Sequence, residues 1–234
     1  MDAVSGTLFG VGLGPGDPEL LTLKAHRLIC RARVVAYPAP DTGESFARSI
    51  AAAFIPPDAE EIVVRVPMRT EPGPAQAAYD RAAVTIGNRL AGGMDVVALC
   101  EGDPFFYGSF IQLFERLSPR FPCEVVPGVS SLTACAAALS HPLTVRDDTL
   151  SVLPATLDDD ALRRHLDAAD GAAIVKLGRH LPRVRALIGA MGLTSGAGYV
   201  ERASLPHGRA APLAEAPATA PYFSMILVRR RERS

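Results

Sequence analysis

The chain of 234 residues has no tryptophan, no low-complexity tract and no apolar run long enough to cross a membrane. Its four cysteines (Cys30, Cys100, Cys123 and Cys135) form no C-x-x-C pair, and its five histidines show no metal-ligand spacing. We therefore expect buried free thiols and no protein-bound metal. The first ten residues carry no basic flank before their apolar positions, so we expect no signal peptide and a cytoplasmic location.

The chain also lacks an excess of either charge. It has 24 Lys and Arg against 25 Asp and Glu, a formal net charge of −1. This balance gives no general attraction to nucleic acid or to an anionic membrane, and neither is expected as a partner. The hydrophobic fraction of 48% supplies ample core material. The length allows one large α/β domain or two smaller ones.

Residues 95–110 (DVVALCEGDPFFYGSF) hold the most informative pattern in the chain. Five apolar residues, 96–100, have the length of a strand that is buried on both faces. They lead into 101–104 (EGDP), where glycine permits unusual backbone angles and proline fixes φ. Open α/β sheets bind ligands at the carboxyl ends of their strands, so this acidic turn is either a ligand site or an ordinary strand-to-helix turn.

Strands and helices alternate along the first half of the chain, which predicts a parallel sheet. The predicted strands are 7–13, 34–37, 61–66, 96–100 and 123–126, with helices at 18–31, 45–54, 75–91, 107–117 and 131–139 and a loop at 67–74. In the second half the predicted strands are 151–154, 172–176, 198–202 and 222–229, with helices at 160–168 and 181–191 and a Pro/Ala-rich connection at 206–221. We therefore predict two domains, 1–127 and 128–234; a single continuous sheet is the alternative.

Glycine occupies every second position from 10 to 16, followed by Asp17 as a helix N-cap and Pro18 at the first helical position. A Rossmann fingerprint would need a third glycine where Pro15 or Asp17 stands, and the motif therefore fails. These glycines instead indicate a close backbone approach to a ligand or to a neighbouring segment. A G-x-S-x-G elbow at 128–131 fails as well, because Leu132 replaces its second glycine.

Three unusual turns, 14–18, 101–104 and 127–131, follow predicted strands of the parallel sheet. In such a sheet they all lie at one edge and could line a common cleft. Their backbone donors and acidic side chain suit a ligand with ribose hydroxyls, an adenine edge and an amino-acid part.

Residues 12–18 (GLGPGDP), 101–104 (EGDP) and 126–131 (VPGVSS) resemble the three signature loops of the tetrapyrrole (corrin and sirohaem) methylases. The similarity covers essentially the whole chain. It implies an S-adenosylmethionine-dependent enzyme of the class III, non-Rossmann fold. This fold has an N-terminal five-stranded parallel sheet, a C-terminal mixed sheet and an active-site cleft between the two domains. The resemblance also implies a homodimer.

Shorter segments resemble the precorrin-2 C20-methyltransferase branch of cobalamin biosynthesis. They are 22–25 (TLKA), 34–38 (VVAYP), 67–68 (PM), 106–110 (FYGSF), 176–180 (KLGRH) and 221–225 (PYFSM). The implied reaction is methyl transfer from S-adenosylmethionine to C20 of precorrin-2, which gives precorrin-3A and S-adenosylhomocysteine. The alternatives are a cobalt-factor II C20-methyltransferase of the anaerobic pathway, a methylase of another ring position, and a binding module without catalysis.

Position by position, the resemblance implies a set of cofactor-binding residues: Glu101, Gly102, Asp103, Tyr107, Ser130, Ser131, Leu177 and Ala203. Relatives often have Met where Leu177 stands, so only its backbone contact is expected to transfer. The first loop is expected to serve the tetrapyrrole through Pro15, Gly16 and Asp17. No general base is assigned. Lys176, Arg179 and Arg202 could pair with substrate carboxylates or could simply be solvated.

Overall fold

The computed structural model describes residues 5–67 and 72–230, and the chain divides into two compact units between Ser130 and Ser131. The sequence-based domains, 1–127 and 128–234, place the division after residue 127. Residues 68–71 of the predicted loop 67–74, including Met68 of the segment 67–68, lie outside the described residues. Each unit is built around its own sheet.

The first unit is a five-stranded parallel sheet with the strand order β3-β2-β4-β1-β5, as predicted. Its elements are β1 (Leu8–Gly12), α1 (Leu23–Ile29), β2 (Val34–Pro40), α2 (Phe46–Ala51), β3 (Glu60–Val66), α3 (Pro72–Ala91), β4 (Val96–Cys100), α4 (Phe110–Leu117) and β5 (Cys123–Val126). All five residues of β4 are buried. One core cluster packs the sheet against α3 and α4 and another packs it against α1 and α2, so helices cover both faces.

Three helix starts in the first unit differ from the prediction. Asp17 is the predicted N-cap, but it caps a short 3-10 helix, Pro18–Leu20, and α1 begins only at Leu23 with Thr22 as its own cap. Helix α3 begins at Pro72 rather than at 75, because prolines are tolerated in the first helical turn, where the N–H has no intrahelical partner. Helix α4 begins at Phe110 rather than at 107.

The second unit contains a five-stranded mixed sheet with the order β6-β7-β10-β8-β9. Its elements are α5 (Ser131–Leu139), β6 (Leu150–Pro154), α6 (Asp159–Ala168), β7 (Gly171–Val175), α7 (Leu181–Ala190), β8 (Ala197–Glu201), β9 (Arg209–Pro212) and β10 (Ser224–Arg229). Strand β9 lies inside the predicted connection 206–221, so that prediction was incomplete. It is a short and mostly exposed edge strand, and only its antiparallel pairing with β8 defines it.

Gly87 offers a simple test of packing in the first unit. It lies near the end of the long helix α3, and a Cβ placed on it would lie 3.5 Å from Phe121 and 3.6 Å from Leu117, which is ordinary van der Waals contact. Glycine within a helix costs roughly 0.5–1 kcal/mol relative to alanine. We therefore expect Gly87→Ala to raise the free energy of unfolding by about that amount in urea denaturation. A lower value would mean that the helix has no room for the added methyl group.

An ion pair with a shared hydrogen bond links β2, α2 and β3. The Arg48 guanidinium donates to both Glu61 carboxylate oxygens, at 2.6 Å and 2.8 Å, and the Tyr37 hydroxyl donates to one of them at 2.5 Å. Hydrogen bonding from Arg48, assisted by Tyr37, lowers the pKa of Glu61 from its ordinary 4.5 to about 2, despite opposing desolvation. The charged carboxylate is therefore the form that stabilises this unit.

We expect Glu61→Gln to lower the melting temperature at neutral pH by several degrees, because hydrogen bonds to a charged group contribute roughly 1.5–3 kcal/mol. Because the folded-state pKa lies below the unfolded one, this contribution is complete above about pH 4.5 and is lost as the pH falls towards 2. Melting curves across this range should show the wild type and the variant converging. A difference that stays constant with pH would contradict the role of Glu61.

Candidate functional site

The loops that follow β1, β4 and β5 meet at one edge of the first sheet, as the sequence predicted. Strand β1 lies between β4 and β5 and is parallel to both, so the three strands end on the same side. Gly14 and Gly102 exchange two backbone hydrogen bonds, with N to O distances of 3.2 Å and 2.8 Å. These two bonds join the first loop directly to the acidic turn.

Gly128, in the loop after β5, packs so closely against the other two loops that only glycine fits. A Cβ placed on it would lie 2.1 Å from the Gly102 carbonyl oxygen and 2.9 Å from the Gly12 backbone. Gly12 meets the reciprocal limit, since its Cβ would lie 2.5 Å from the Gly128 nitrogen. Gly12 and Gly128 therefore serve close packing between loops, which for Gly12 is one of the two explanations that the sequence left open.

The Asp103 carboxylate holds the acidic turn to the loop after β5. Its Oδ1 accepts a hydrogen bond from the Phe105 backbone N–H at 2.9 Å, and its Oδ2 accepts one from the Gly128 N–H at 3.1 Å. A carboxylate offers about four lone-pair sites, so these two bonds leave capacity for a ligand. The contact that the structure gives to Asp103 is a structural one, and its predicted cofactor contact stays a prediction.

Glu101 opens the same turn and is half-buried. Desolvation by burial raises its pKa above the ordinary 4.5, although backbone hydrogen bonds at Glu101 itself and at Ala47 act in the opposite direction. A carboxyl group held in such a poorly solvated place makes strong hydrogen bonds with ligand donors. This environment suits the predicted role of accepting hydrogen bonds from ligand hydroxyls.

Position 102 requires glycine for a different reason from position 128. Its φ of 66° lies in the left-handed region, and apart from its two chain neighbours no heavy atom of the described residues lies within 4 Å of the place where a Cβ would stand. The turn therefore needs glycine for its backbone conformation and not because a neighbour crowds it. The open space beside Gly102 leaves room for a ligand to approach the backbone.

The segment between the acidic turn and α4 places aromatic side chains at the surface. Phe105 and Tyr107 are each 50% exposed, and the Phe106 and Tyr107 rings are in edge contact at 5.0 Å. The sequence predicted Tyr107 at the start of a helix, but its φ of 55° is left-handed and incompatible with that helix. Tyr107 is therefore not a packed helix-start aromatic, which was the alternative to its predicted place in the cofactor site.

The first loop contains the residues predicted to contact the substrate. Pro15 is half-buried and Gly16 is buried, with a φ of 141°. The Asp17 carboxylate accepts a hydrogen bond from the Glu19 N–H at 2.9 Å and so caps the following 3-10 helix. Substrate contact by these three residues stays a prediction.

A buried residue near the acidic turn, Tyr79, was missed by the sequence analysis. Tyr79 of α3 forms a side-chain hydrogen bond with Ser109, and burial raises the pKa of its phenol to about 12, with Cys100 and Glu101 adding to the shift. Tyr79, Ser109 and Tyr37 also line a cavity of about 10 Å³, room for about one water molecule. The one available signal was that Tyr79 is the only aromatic residue in the alanine-rich helix α3.

The remaining predicted residues flank the division between the units or lie in the second unit. Ser130 is the last residue of the first unit, and Ser131 begins α5; both are half-buried. Leu177, fully buried, follows β7, and Ala203, 9% exposed, follows β8. The Leu177 side chain packs in the core of the second unit, so only its backbone atoms could meet a cofactor, while the predicted contact of Ala203 stays a prediction.

Within residues 5–67 and 72–230, no three His, Cys, Asp or Glu side chains come together as a group that could hold a metal ion. Among the helices in the same residues, none has both the length and the apolar character needed to span a membrane.

Comparison with known proteins gives a consistent set of matches. A family model described as Tetrapyrrole (Corrin/Porphyrin) Methylases matches residues 7–217. The chain is 46% identical over 232 residues to the cobalamin biosynthesis protein CobIJ of Mycobacterium tuberculosis, a match that covers 95% of this chain. That match covers 46% of CobIJ, so the chain spans about half the length of this relative.

Two further matches extend over nearly the full length of both partners. The chain is 40% identical over 232 residues to the precorrin-2 C(20)-methyltransferase of a Sinorhizobium species, covering 95% of each protein. Among solved structures, uroporphyrin-III C-methyltransferase from Thermus thermophilus, complexed with S-adenyl homocysteine, superimposes with a TM-score of 0.69 at 26% identity. This match covers 96% of the present chain and 98% of the Thermus chain.

Proposed function

The chain belongs to the tetrapyrrole (corrin/porphyrin) methylase family, and from this membership we propose that it transfers a methyl group from S-adenosylmethionine to C20 of precorrin-2. The observation that carries the choice of substrate is the 40% identity with a precorrin-2 C(20)-methyltransferase over 95% of both chains. The products would be precorrin-3A and S-adenosylhomocysteine, in cobalamin biosynthesis.

The described loops fit a ligand of this chemistry. The open space beside Gly102 admits a ligand to the backbone of the turn, and the half-buried Glu101 supplies a carboxylate for ribose hydroxyls. Asp103 fixes the turn against the loop after β5, so the binding groups are held in place before the ligand arrives. The support for S-adenosylmethionine is therefore a set of preorganised loops, together with the bound S-adenyl homocysteine of the Thermus relative.

We retain the residue assignments as part of the proposal. Cofactor contacts are proposed for Glu101, Gly102, Asp103, Tyr107, Ser130, Ser131 and Ala203, a backbone contact for Leu177, and substrate contacts for Pro15, Gly16 and Asp17. The 50% exposure of Tyr107 is compatible with this role. We also propose that the protein is a homodimer, as the family resemblance implies, and that it is cytoplasmic and has no resident metal, as we expected from its N-terminal residues and from the spacing of its histidines and cysteines. Light scattering after size-exclusion chromatography would measure its oligomeric state.

In the proposed reaction S-adenosylmethionine supplies an activated methyl group on a sulfonium. The sulfur–methyl bond breaks with its electron pair left on sulfur, a new carbon–carbon bond forms at C20, and a proton is lost from that carbon. The reduced tetrapyrrole is an electron-rich nucleophile that needs little activation. The contribution of the protein is then mainly to align carbon, methyl and sulfur and to exclude water.

The direct test uses purified protein, methyl-labelled S-adenosylmethionine and freshly prepared precorrin-2, with NMR to locate the labelled carbon. Label at C20 is the expected result. Label at another carbon would contradict the choice of ring position but keep the family chemistry. Transfer to cobalt-factor II in place of precorrin-2 would favour the anaerobic alternative, and tight binding without any transfer would favour a binding module.

A further inference from the structure

The carboxyl edge of the second sheet carries cations and aromatic side chains that the assignments above leave unused. Strands β7 and β8 both run antiparallel to β10, which lies between them, so both end where β10 begins. Lys176 directly follows β7, Arg202 directly follows β8, and Tyr222 and Phe223 directly precede β10. All four side chains are exposed, with Tyr222 at 65% and Phe223 at 44%.

The two cations occupy unusual backbone conformations. Lys176 has a φ of 56° and Arg202 a φ of 49°, in the left-handed region that residues other than glycine adopt at a cost. Such residues cluster at ligand sites, where the surrounding structure maintains the strain. In each turn the next residue, Leu177 or Ala203, is buried, while the cation stays at the surface. An exposed cation with a left-handed backbone, followed by a buried residue, therefore occurs twice at the carboxyl edge of the second sheet.

The aromatic pair is fixed relative to Arg202. The Arg202 N–H donates to the Phe223 carbonyl oxygen at 2.8 Å, and the Ser224 hydroxyl donates to the Pro221 carbonyl oxygen at 2.7 Å. The Tyr222 and Phe223 rings contact each other edge to face, with centroids 5.1 Å apart. These contacts tie the segment before β10 to the adjacent strand, so the exposed aromatics form a defined surface.

The spacing of the cations selects the type of ligand. One strand separates β7 from β8, which places the backbones at Lys176 and Arg202 about two strand spacings apart, roughly 10 Å. A single carboxylate cannot bridge that distance, whereas a planar scaffold with several carboxylates on its rim can reach both cations and lie over the aromatic pair between them. Arg202 pairs with Glu201 at 3.7 Å, and Glu201 also accepts a hydrogen bond from the Tyr199 hydroxyl.

We propose that Lys176, Arg202, Tyr222 and Phe223 form a binding surface for the carboxylate-bearing macrocycle of the tetrapyrrole substrate. The two cations pair with rim carboxylates, and the aromatic rings contact the face or edge of the macrocycle. This inference deepens the proposed function and rests on it. Of the two alternatives that the sequence left open for Lys176 and Arg202, it adopts the pairing with substrate carboxylates.

The test compares Lys176→Gln, Arg202→Gln and their double variant with Arg164→Gln, which removes one positive charge from the exposed surface of α6. Binding of uroporphyrin III, a planar tetrapyrrole with eight carboxylates, is followed by its absorbance change, and the KM for precorrin-2 is measured in parallel. We expect Lys176→Gln and Arg202→Gln each to weaken uroporphyrin III binding about tenfold and to raise the KM for precorrin-2 about tenfold. This is the effect expected from the loss of one charge-assisted hydrogen bond. Affinity for S-adenosylhomocysteine in calorimetry should change little in any variant.

Arg202→Gly separates binding from folding. Glycine adopts a φ of 49° without strain, so this variant should be at least as stable as the wild type while it loses the cation. Weaker porphyrin binding in a protein of equal or higher melting temperature is the expected result. A fall in both porphyrin binding and melting temperature would assign Arg202 a structural role and overturn the proposal.

Equal porphyrin binding in the wild type and the double variant, or an equal loss in Arg164→Gln, would also overturn the proposal. Failure of the proposed function is a different result: the wild type would then not methylate precorrin-2. In that case the porphyrin titration still decides, because binding that the double variant loses and Arg164→Gln keeps would establish the surface, and a wild type that binds no porphyrin would overturn it.

Discussion

Gly128→Ala is expected to weaken binding of S-adenosylmethionine at least about a hundredfold and to destabilise the first unit. The added Cβ would lie 2.1 Å from the Gly102 carbonyl oxygen and 2.9 Å from the Gly12 backbone. Both neighbours are backbone atoms, so no side-chain rotation relieves the overlap and the loops must separate. Overpacking of this kind costs typically 1–3 kcal/mol and occasionally more.

The substitution should weaken ligand binding directly, because all three proposed ligand loops meet at Gly128. We expect affinity in calorimetry to fall at least about a hundredfold, which corresponds to about 2.7 kcal/mol. The far-UV circular dichroism spectrum should stay close to that of the wild type. Gly87→Ala is the matched control, since it adds the same methyl group in the same unit without a clash. Wild-type affinity in Gly128→Ala would show that the contact between the loops does not support binding.

Asp103→Asn is expected to weaken cofactor binding about tenfold or more and to lower the free energy of unfolding by about 1–3 kcal/mol. The two carboxylate oxygens accept hydrogen bonds from the Phe105 and Gly128 N–H groups. An asparagine has one acceptor oxygen for these two donors, so its amide must face the other N–H. When the amide group faces the part-buried Gly128 N–H, that donor loses its partner, which costs this much, and the two loops lose their link.

Calorimetry with S-adenosylhomocysteine would measure the change in binding, and urea denaturation would measure the change in stability. Asp103→Ala loses both hydrogen bonds, so its cofactor binding should be weaker still. Asp158→Asn is the control, because Asp158 caps α6 through the Ala161 N–H and asparagine is an equally good cap. It should leave binding and stability nearly unchanged. Unchanged affinity in Asp103→Ala would remove Asp103 from the binding machinery.

Local sequence was sufficient for much of the fold. Strands β4 and β5 lie where the apolar runs placed them, and α3 ends at Ala91, just before Gly92 and Gly93. These elements depend on short-range properties, which are the burial of both faces of a strand and the termination of a helix by glycine. The two α/β units and the parallel first sheet followed from the order of such elements.

Local sequence was insufficient where pairing or packing decides the conformation. Strand β9 contains alanine, a charged residue and proline, and it is a strand only because β8 lies beside it. Tyr107 follows an acidic turn before a helical pattern, and only the structure places it in the left-handed region. The intrinsic conformational propensities of these residues predict neither the strand β9 nor the left-handed conformation of Tyr107.

The same division applies to the candidate site. The sequence by itself determined which residue types stand in the three loops, since the glycines and the acidic turn are local motifs whose family resemblance could be recognised directly. Only the tertiary structure shows why these glycines and the acidic turn are needed. Strand β1 pairs with both β4 and β5, which brings Gly12, Gly102 and Gly128 into backbone contact across long sequence separations and gives Asp103 its partner. Such contacts follow from strand order, and no local pattern encodes them.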